Sequence, residues 1–160
     1  MMDKGTVDES SDLVSIVVVN WNGKEYLKNC FGSINKQKYR NYEVIMVDNA
    51  STDGSVEYVA RNYPWVETIR SGKNLGSSRG HNIGITRARG DLVVLLDNDI
   101  VLDKMWLWEL VGTINRSKKV GVVGGLVCSY DPPHNVIFFP NRFIPSVERP
   151  WALLSISLEK

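Results

Sequence analysis

Leu92–Asp99 reads LVVLLDND, five aliphatic residues followed at once by three polar ones. A short run that is apolar on both faces is typical of a central parallel strand covered by helices. Val14–Val19 is rich in β-branched residues, is interrupted only by Ser15, and forms a second run of this kind. The two runs predict an α/β fold built on a mostly parallel sheet.

Strand-like and helix-like segments alternate along the rest of the chain. Short apolar runs predict further strands at Val44–Val47, Val66–Ile69 and Val120–Val123. Apolar residues at helical spacing predict helices around Leu27–Ile34, Val56–Tyr63 and Met105–Ile114, and a helix of about two turns is predicted to end near Gly90. Asp53 fits the N-cap of the second helix, and Pro64 its end. The alternation predicts right-handed βαβ units in a three-layer α/β/α domain.

The chain divides into three predicted parts. Residues 1–12 are polar and acidic, which predicts a disordered tail, and residues 13–127 hold the predicted elements of one domain. Residues 128–160 are predicted to be irregular, because five of the six prolines lie there. Within them the apolar stretch Trp151–Leu158 fits either a further strand or an interface that forms a homo-oligomer.

Composition and charge exclude several classes of protein. The 160 residues carry a net charge of only +1, whereas proteins that bind nucleic acid usually have a basic excess, so no nucleic-acid partner is expected. No apolar run approaches the roughly 20 residues of a membrane-spanning helix, and the polar start is not a signal peptide. A cytoplasmic location is expected, with peripheral association at the inner face of the membrane left open. Cys30 and Cys128 form no metal-spaced pair and are expected to be reduced.

Polar residues follow three of the predicted strands, at Asn20–Asn22, Asp48–Ser51 and Asp97–Asp99. Ligands of parallel sheets bind beyond the carboxyl ends of the strands. Asp97 and Asp99 lie on the same side of an extended chain, and a hard cation such as Mg²⁺ or Mn²⁺ would relieve the repulsion between them. A turn in which each Asp accepts a backbone N–H is the alternative. The position after a buried strand favours the metal.

Asp48 and Trp21 each allow two interpretations. The carboxylate of Asp48 could accept the ring N–H of uracil or thymine, or it could cap the turn that it shares with Ser51, Thr52 and Asp53. Trp21 could stack on a base, although ordinary packing is the commoner role of a single Trp.

The loop that ends at Gly80 is a weaker candidate for a phosphate site. Gly76 and Gly80 permit close backbone approach, and Arg79 could pair with phosphate, but a solvated loop is equally consistent. The pattern G-x-G-x-x-G after the first strand is absent, which argues against a dehydrogenase, and the lack of a basic Gly-rich loop there argues against a nucleotidyltransferase. His81 and His134 lie in no metal-spaced cluster and are expected to be structural or on the surface.

Four segments in this order resemble glycosyltransferase family 2, the inverting enzymes with a GT-A fold. They are Ser15–Asn22 (SIVVVNWN), Val47–Ser55 (VDNASTDGS), Asn74–Gly76 with Asn82–Ile85 (NLG and NIGI), and Leu95–Asp99 (LLDND). The resemblance covers about residues 13–127 and is nearest to the rhamnosyltransferase-like branch. Several linked motifs are more specific than any one of them.

The resemblance implies a role for each matching position. Trp21 would lie against the nucleotide base, Asp48 would accept the base N–H, Arg79 would reach the base or diphosphate, Asp97 would hold the ribose, and Asp99 would coordinate Mn²⁺ or Mg²⁺. The implied reaction moves a sugar from a UDP- or dTDP-sugar to a glycan or lipid-linked acceptor, with inversion, in polysaccharide and cell-wall biosynthesis.

The catalytic base stays unassigned. The family takes it from an acidic motif well beyond the metal site, and neither Asp131 nor Glu148 lies in a recognisable form of that motif. Ser77–Gly80 also replaces the aromatic residue and glycines frequent in this branch. A chain truncated at its C-terminus is therefore expected, whether a fragment, a truncated gene product or a product of a shifted reading frame. The alternative function is a nucleotide-sugar-binding module without transfer activity.

Overall fold

The computed structural model describes residues 12–125, 127–129, 136–138 and 152–155. The predicted disordered tail lies outside these residues except for Asp12, and so do Asp131, His134 and Glu148. The helices are α1 (Lys24–Asn35), α2 (Ser55–Asn62), α3 (Ser77–Arg87) and α4 (Trp106–Asn115). The strands are β1 (Val14–Asn20), β2 (Tyr42–Asp48), β3 (Val66–Arg70), β4 (Leu92–Asp97), β5 (Val122–Val123), β6 (Val127–Cys128), β7 (Val136–Phe138) and β8 (Ala152–Ser155).

The main sheet of the described residues has six strands in the order β3-β2-β1-β4-β8-β5, and every neighbouring pair is parallel. The short strands β6 and β7 pair with each other in an antiparallel ribbon. The predicted strand–helix alternation and parallel sheet are therefore confirmed. The order turns at β1, since the chain runs outward from β1 to β3 and then returns to the other side of β1 as β4.

Side chains of the inner strands alternate between two apolar layers. Ile16 and Val18 of β1 pack with α1, α2 and α4, whereas Val17 and Val19 pack with α3. This alternation explains why the runs are apolar throughout, because both faces of the strand are covered. Fully burying one such aliphatic side chain contributes about 1.5–3 kcal/mol. The predicted three-layer α/β/α architecture is confirmed.

Several element boundaries differ from the sequence prediction, among them those of α3, β5 and α2. α3 has 11 residues, about three turns rather than two. β5 is Val122–Val123 rather than Val120–Val123. The N-cap of α2 is Gly54, one residue after Asp53. Asp53 still serves this helix end, because its Oδ1 accepts the backbone N–H of Ser55 at 3.0 Å.

The segment predicted to be irregular contributes β8, which lies between β4 and the edge strand β5. Ala152–Ser155 lies within the apolar stretch Trp151–Leu158 and pairs in parallel with both β4 and β5. Of the two interpretations of that stretch, the structure contains the strand. Proline content gave no information about Ala152–Ser155, because none of the five prolines lies within these four residues.

No helix of the described residues combines the length and the apolarity needed to cross a bilayer.

The Glu43 side chain joins three segments at the end of the sheet opposite the polar turns. Its Oε1 accepts the Ser15 hydroxyl at 2.6 Å and the Arg89 backbone N–H at 2.8 Å, and its Oε2 accepts the Arg89 Nε at 2.8 Å. Burial raises the pKa of Glu43, but these hydrogen bonds outweigh burial and bring the pKa below its ordinary value of 4.5. The ionised form is therefore the one that the fold stabilises.

Glu43→Gln is expected to lower the free energy of unfolding by about 1–2 kcal/mol at neutral pH, since it removes charge-assisted hydrogen bonds. A depressed pKa contributes stability above its unfolded-state value, and that stability is lost as the pH falls through the folded-state value. The difference between wild type and Glu43→Gln should therefore shrink below pH 4.5. Urea unfolding at neutral and acid pH measures it, and a constant difference across that range would contradict the assignment.

Candidate functional site

A cleft of about 640 Å³ opens at the carboxyl ends of β1 and β4. This is where the strand order reverses, the usual ligand position in open parallel sheets. The lining residues are Val19, Trp21, Asn22, Gly23, Glu25, Tyr26, Asn49, Asn74, Gly76, Ser77, Asp97, Asn98 and Asp99. Of the predicted site residues, the cleft therefore brings together Trp21, Asp97 and Asp99, and it leaves Asp48 and Arg79 outside its lining.

Asp97 and Asp99 give the cleft a concentration of negative charge. Burial raises the pKa of Asp97, His81 opposes this increase, and Asp99 adds to it. Oδ1 of Asp99 is buried and has no hydrogen-bond partner in the structure. A buried carboxylate oxygen without a partner is unfavourable unless a cation or a donor satisfies it.

These residues fit a hard divalent cation. Carboxylate oxygens are the ligands that Mn²⁺ and Mg²⁺ prefer, and the orphaned oxygen of Asp99 would be one such ligand. No group of three His, Cys, Asp or Glu side chains gathers anywhere in the described part of the chain. A cation here would therefore take most of its ligands from water or from a bound anion, which is the usual way in which Mg²⁺ is held beside phosphates.

Trp21 and Tyr26 form the aromatic part of the cleft. Trp21 is 57% exposed, so the packing interpretation of this residue is wrong and its ring faces solvent at the cleft. Tyr26, in the first turn of α1, is 41% exposed and was missed by the sequence prediction. An amphipathic helix was visible in the sequence, but nothing in its periodicity marked Tyr26 as facing a ligand site.

Asp48 is only 2% exposed and is engaged by the protein at both oxygens. Its Oδ1 accepts Nδ2 of Asn20 at 3.0 Å, and its Oδ2 accepts the Ser51 N–H at 3.0 Å. The turn-capping interpretation therefore describes the hydrogen bonds that Asp48 makes. The next residue, Asn49, lines the cleft and donates from Nδ2 to the carbonyl of Gly76 at 3.2 Å.

α3 contributes His81 rather than Arg79 to the immediate surroundings of β4. Arg79 is exposed on α3 and does not line the cleft. His81 Nε2 lies 3.3 Å from the carbonyl of Leu96, the residue before Asp97, and its Nδ1 lies 3.2 Å from the Ser77 hydroxyl. The expectation of a structural role fits these contacts, and the imidazole also lies close enough to Asp97 to oppose the increase of its pKa.

The fold and the cleft agree with the comparisons to known proteins. Residues 15–147 match the profile of the family described as Glycosyl transferase family 2, so the chain belongs to that family. It is 30% identical over 133 residues to the glycosyltransferase GlyG of Streptococcus pneumoniae, covering 81% of this chain and 44% of that protein. It is 33% identical over 120 residues to the glycosyltransferase AglE of Haloferax volcanii, covering 71% and 39%. The chain thus spans less than half the length of these curated relatives. It is a glycosyltransferase domain by family.

Solved structures confirm the GT-A fold. The mannosyltransferase PcManGT from Pyrobaculum calidifontis, in complex with GDP-Man and Mn²⁺, superposes with a TM-score of 0.65 at 26% identity, covering 75% of this chain and 36% of that one. The structure of S. aureus TarS 1-349 in complex with UDP superposes with a TM-score of 0.65 at 22% identity, covering 71% and 35%.

Proposed function

We propose that the chain binds a nucleoside-diphosphate sugar with a divalent cation in this cleft and takes part in transferring the sugar, with inversion, to a glycan or lipid-linked acceptor. The observation that carries the proposal is the buried, unpartnered Oδ1 of Asp99 at the switch point of the sheet, beside the exposed ring of Trp21. The GDP-Man and Mn²⁺ held by the Pyrobaculum mannosyltransferase support the same pairing of ligands here.

Different lining residues would bind different parts of the proposed donor. Asp99 would hold the cation, which when bound supplies positive charge against the leaving diphosphate. Asp97 would accept hydrogen bonds from the ribose, and Trp21 would stack on the base. The roles predicted for Asp48 and Arg79 stay predictions: Asp48, which is buried, would have to accept the base N–H in addition to the donors that it already binds, and Arg79 would have to turn from solvent toward a phosphate.

The proposed transfer exchanges one bond at the anomeric carbon for another. The acceptor hydroxyl gives up its proton to a carboxylate base, its oxygen bonds to the anomeric carbon from the face opposite the diphosphate, and the nucleoside diphosphate leaves. Of the described acids only Glu25, Asp97 and Asp99 line the cleft, and we assign the base to none of them. Donor binding without transfer is therefore the alternative function. Four further expectations also stay predictions: the rhamnosyltransferase-like branch, a part in polysaccharide and cell-wall biosynthesis, formation of a homo-oligomer, and a location at the cytoplasmic face of a membrane.

Calorimetric titration of UDP, dTDP and GDP, each with and without Mn²⁺, tests donor binding directly. We expect binding of at least one diphosphate only when Mn²⁺ is present. Absence of binding under every condition would contradict the proposal. Transfer of labelled sugar to an acceptor then separates the transferase from the binding module, whereas donor hydrolysis does not, because water can replace the acceptor.

Trp21→Ala is expected to weaken nucleotide binding by about tenfold or more, because stacking of one base on an aromatic ring contributes about 1–3 kcal/mol. Trp21→Phe should recover part of the loss. The matched control is Trp65→Ala, since Trp65 is also partly exposed but packs edge-on against Phe31 and Tyr63 and does not line the cleft. Equal losses in the two alanine variants would show that the effect is not stacking.

A further inference from the structure

Asn20 is the last residue of β1 and lies between the two strands that carry the site. It pairs with Asp48 of β2 in the sheet register, and the preceding Val19 pairs with Asp97 of β4. Asn20 is fully buried. A buried amide at the centre of a sheet must have its donor and acceptor satisfied, because each unsatisfied polar group is costly. The hydrogen-bond partners of Asn20 therefore determine how its amide is oriented.

The partners of Asn20 fix which way its amide faces. Nδ2 donates to Oδ1 of Asp48 at 3.0 Å and to the Ser51 hydroxyl at 3.1 Å. A carboxylate can only accept, so the NH₂ group must face Asp48 and the carbonyl oxygen must face the opposite way. That oxygen accepts Nδ2 of Asn98 at 2.7 Å.

The orientation of the Asn20 amide determines the orientation of Asn98, the middle residue of the Asp97–Asp99 turn. Since its NH₂ group donates to Asn20, its own carbonyl oxygen lies on the side away from Asn20, and Asn98 lines the cleft. An amide carbonyl is a hard oxygen ligand of the same kind as a carboxylate for Mn²⁺ or Mg²⁺, and it is also an acceptor for a sugar hydroxyl.

Gly23 leaves the space that this arrangement needs. A Cβ at position 23 would lie 1.9 Å from Nδ2 of Asn98 and 2.9 Å from Oδ1 of Asn20. The backbone of Gly23 has φ −113°, which any residue adopts, so contact with the amides and not backbone conformation is what requires glycine here. The β1–α1 connection is thus shaped around the Asn20–Asn98 contact.

We propose that Asn20 is a positioning residue of the donor site: the buried Asp48 carboxylate orients the amide of Asn20, which orients Asn98 so that its carbonyl oxygen is presented to the cleft beside Asp99. This rests on the proposed function for the identity of the ligand, but not for the geometry. It gives Asp48 a role in binding without any contact with the nucleotide base.

Two readouts test the chain of contacts. The first is the affinity for Mn²⁺ with UDP or GDP in Asn20→Ala, Asn98→Ala and the double variant. Changing a residue that orients a metal ligand lowers the affinity for the metal about 10–100-fold, so each single variant should bind about tenfold more weakly or worse. Because Asn20 acts through Asn98, the double variant should lose no more than either single one. Multiplied losses would overturn the proposal.

The second readout is the NMR signal of the Asn98 side-chain NH₂ group without any ligand. In wild type it should exchange slowly with solvent, and in Asn20→Ala it should exchange fast. Gly23→Ala keeps the Asp48 and Asn20 side chains but brings its Cβ against the contact between Asn20 and Asn98, so it should displace the same group and gives the test a variant outside the core. An Asn98 signal unchanged in both variants would overturn the proposal. If wild type binds no nucleotide with Mn²⁺, the proposed function fails while this readout still decides the positioning role.

Gln37→Ala is the matched control for loss of a buried amide. Gln37 is fully buried, donates to the carbonyls of Ser33 and Asp103, and accepts the N–H of Leu107, all outside the cleft. Its removal should lower the unfolding midpoint as Asn20→Ala does and leave the affinity of the folded protein unchanged. A tenfold loss of affinity in Gln37→Ala as well would mean that destabilisation alone accounts for the effect of Asn20.

Discussion

Asp99→Ala is expected to abolish Mn²⁺-dependent nucleotide binding and to leave the protein at least as stable as wild type. Changing a residue that only orients a metal ligand costs about 10–100-fold in affinity, so loss of the ligand itself should exceed about 100-fold. Stability should not fall, because the substitution removes a buried oxygen that has no partner and a negative charge that repels Asp97. Loss of binding without loss of stability indicates a residue whose role is to bind the ligand and not to hold the fold together.

Calorimetry with Mn²⁺ and the diphosphate, together with thermal unfolding, measures both effects of Asp99→Ala. Asp103→Ala is the control, because Asp103 is an exposed carboxylate on the same connection that lies outside the cleft and accepts the N–H of Met105. It should lose a little stability and no affinity. If Asp99→Ala kept metal-dependent binding, the orphaned oxygen would not be a metal ligand.

The inner strands β1 and β4 were predictable because their own residues show that both faces are buried. LVVLLD at β4 and VSIVVVN at β1 are apolar on both faces, and that pattern needs no knowledge of the neighbours. β8 was not predictable in the same way, since it is a four-residue strand whose place is set by backbone pairing with β4 and β5. Short strands are defined by their partners and not by their composition.

The sequence predicted the candidate site residues that stand at the end of a strand. It could not predict roles that depend on a hydrogen-bond partner elsewhere in the fold. Asp97 is the last residue of β4 and Asp99 follows the strand, and both line the cleft. The two interpretations of Asp48 could not be separated from the sequence, because the donor that occupies its Oδ1 is Asn20, 28 residues away. The contacts of His81 could not be predicted from the sequence for the same reason, because one of its partners is the backbone carbonyl of Leu96, and every residue has such a carbonyl.

The packing of α3 on β1 depends on two glycines that share one helical face. A Cβ at Gly80 would lie 2.9 Å from Cγ1 of Val19, and a Cβ at Gly84 would lie 2.2 Å from Cγ1 of Val17. Val17 is fully buried and β1 has a paired strand on each side, so neither the side chain nor the strand can move away. The helix must therefore shift outward if a methyl group is added at position 84.

Gly84→Ala is expected to lower the free energy of unfolding by about 3 kcal/mol, at the upper end of what overpacking a core costs, despite the better helix propensity of Ala. Chemical denaturation measures it. Gly32→Ala is the matched control, because Gly32 lies within α1 and an added Cβ there meets nothing within 4 Å. The same substitution should stabilise the protein at that position by roughly 0.5–1 kcal/mol.

The double variant Gly84→Ala/Val17→Ala separates steric conflict from any other effect of the substitution. Removing the two methyl groups of Val17 makes room for the new Cβ, so the double variant should be less destabilised than the sum of the single variants. An outward shift of α3 would also move its N-terminal end, where Gly76 and Ser77 line the cleft, so Gly84→Ala should weaken nucleotide binding as well. Additive losses in the double variant would show that the close approach of Gly84 to Val17 is not what holds α3 on the sheet.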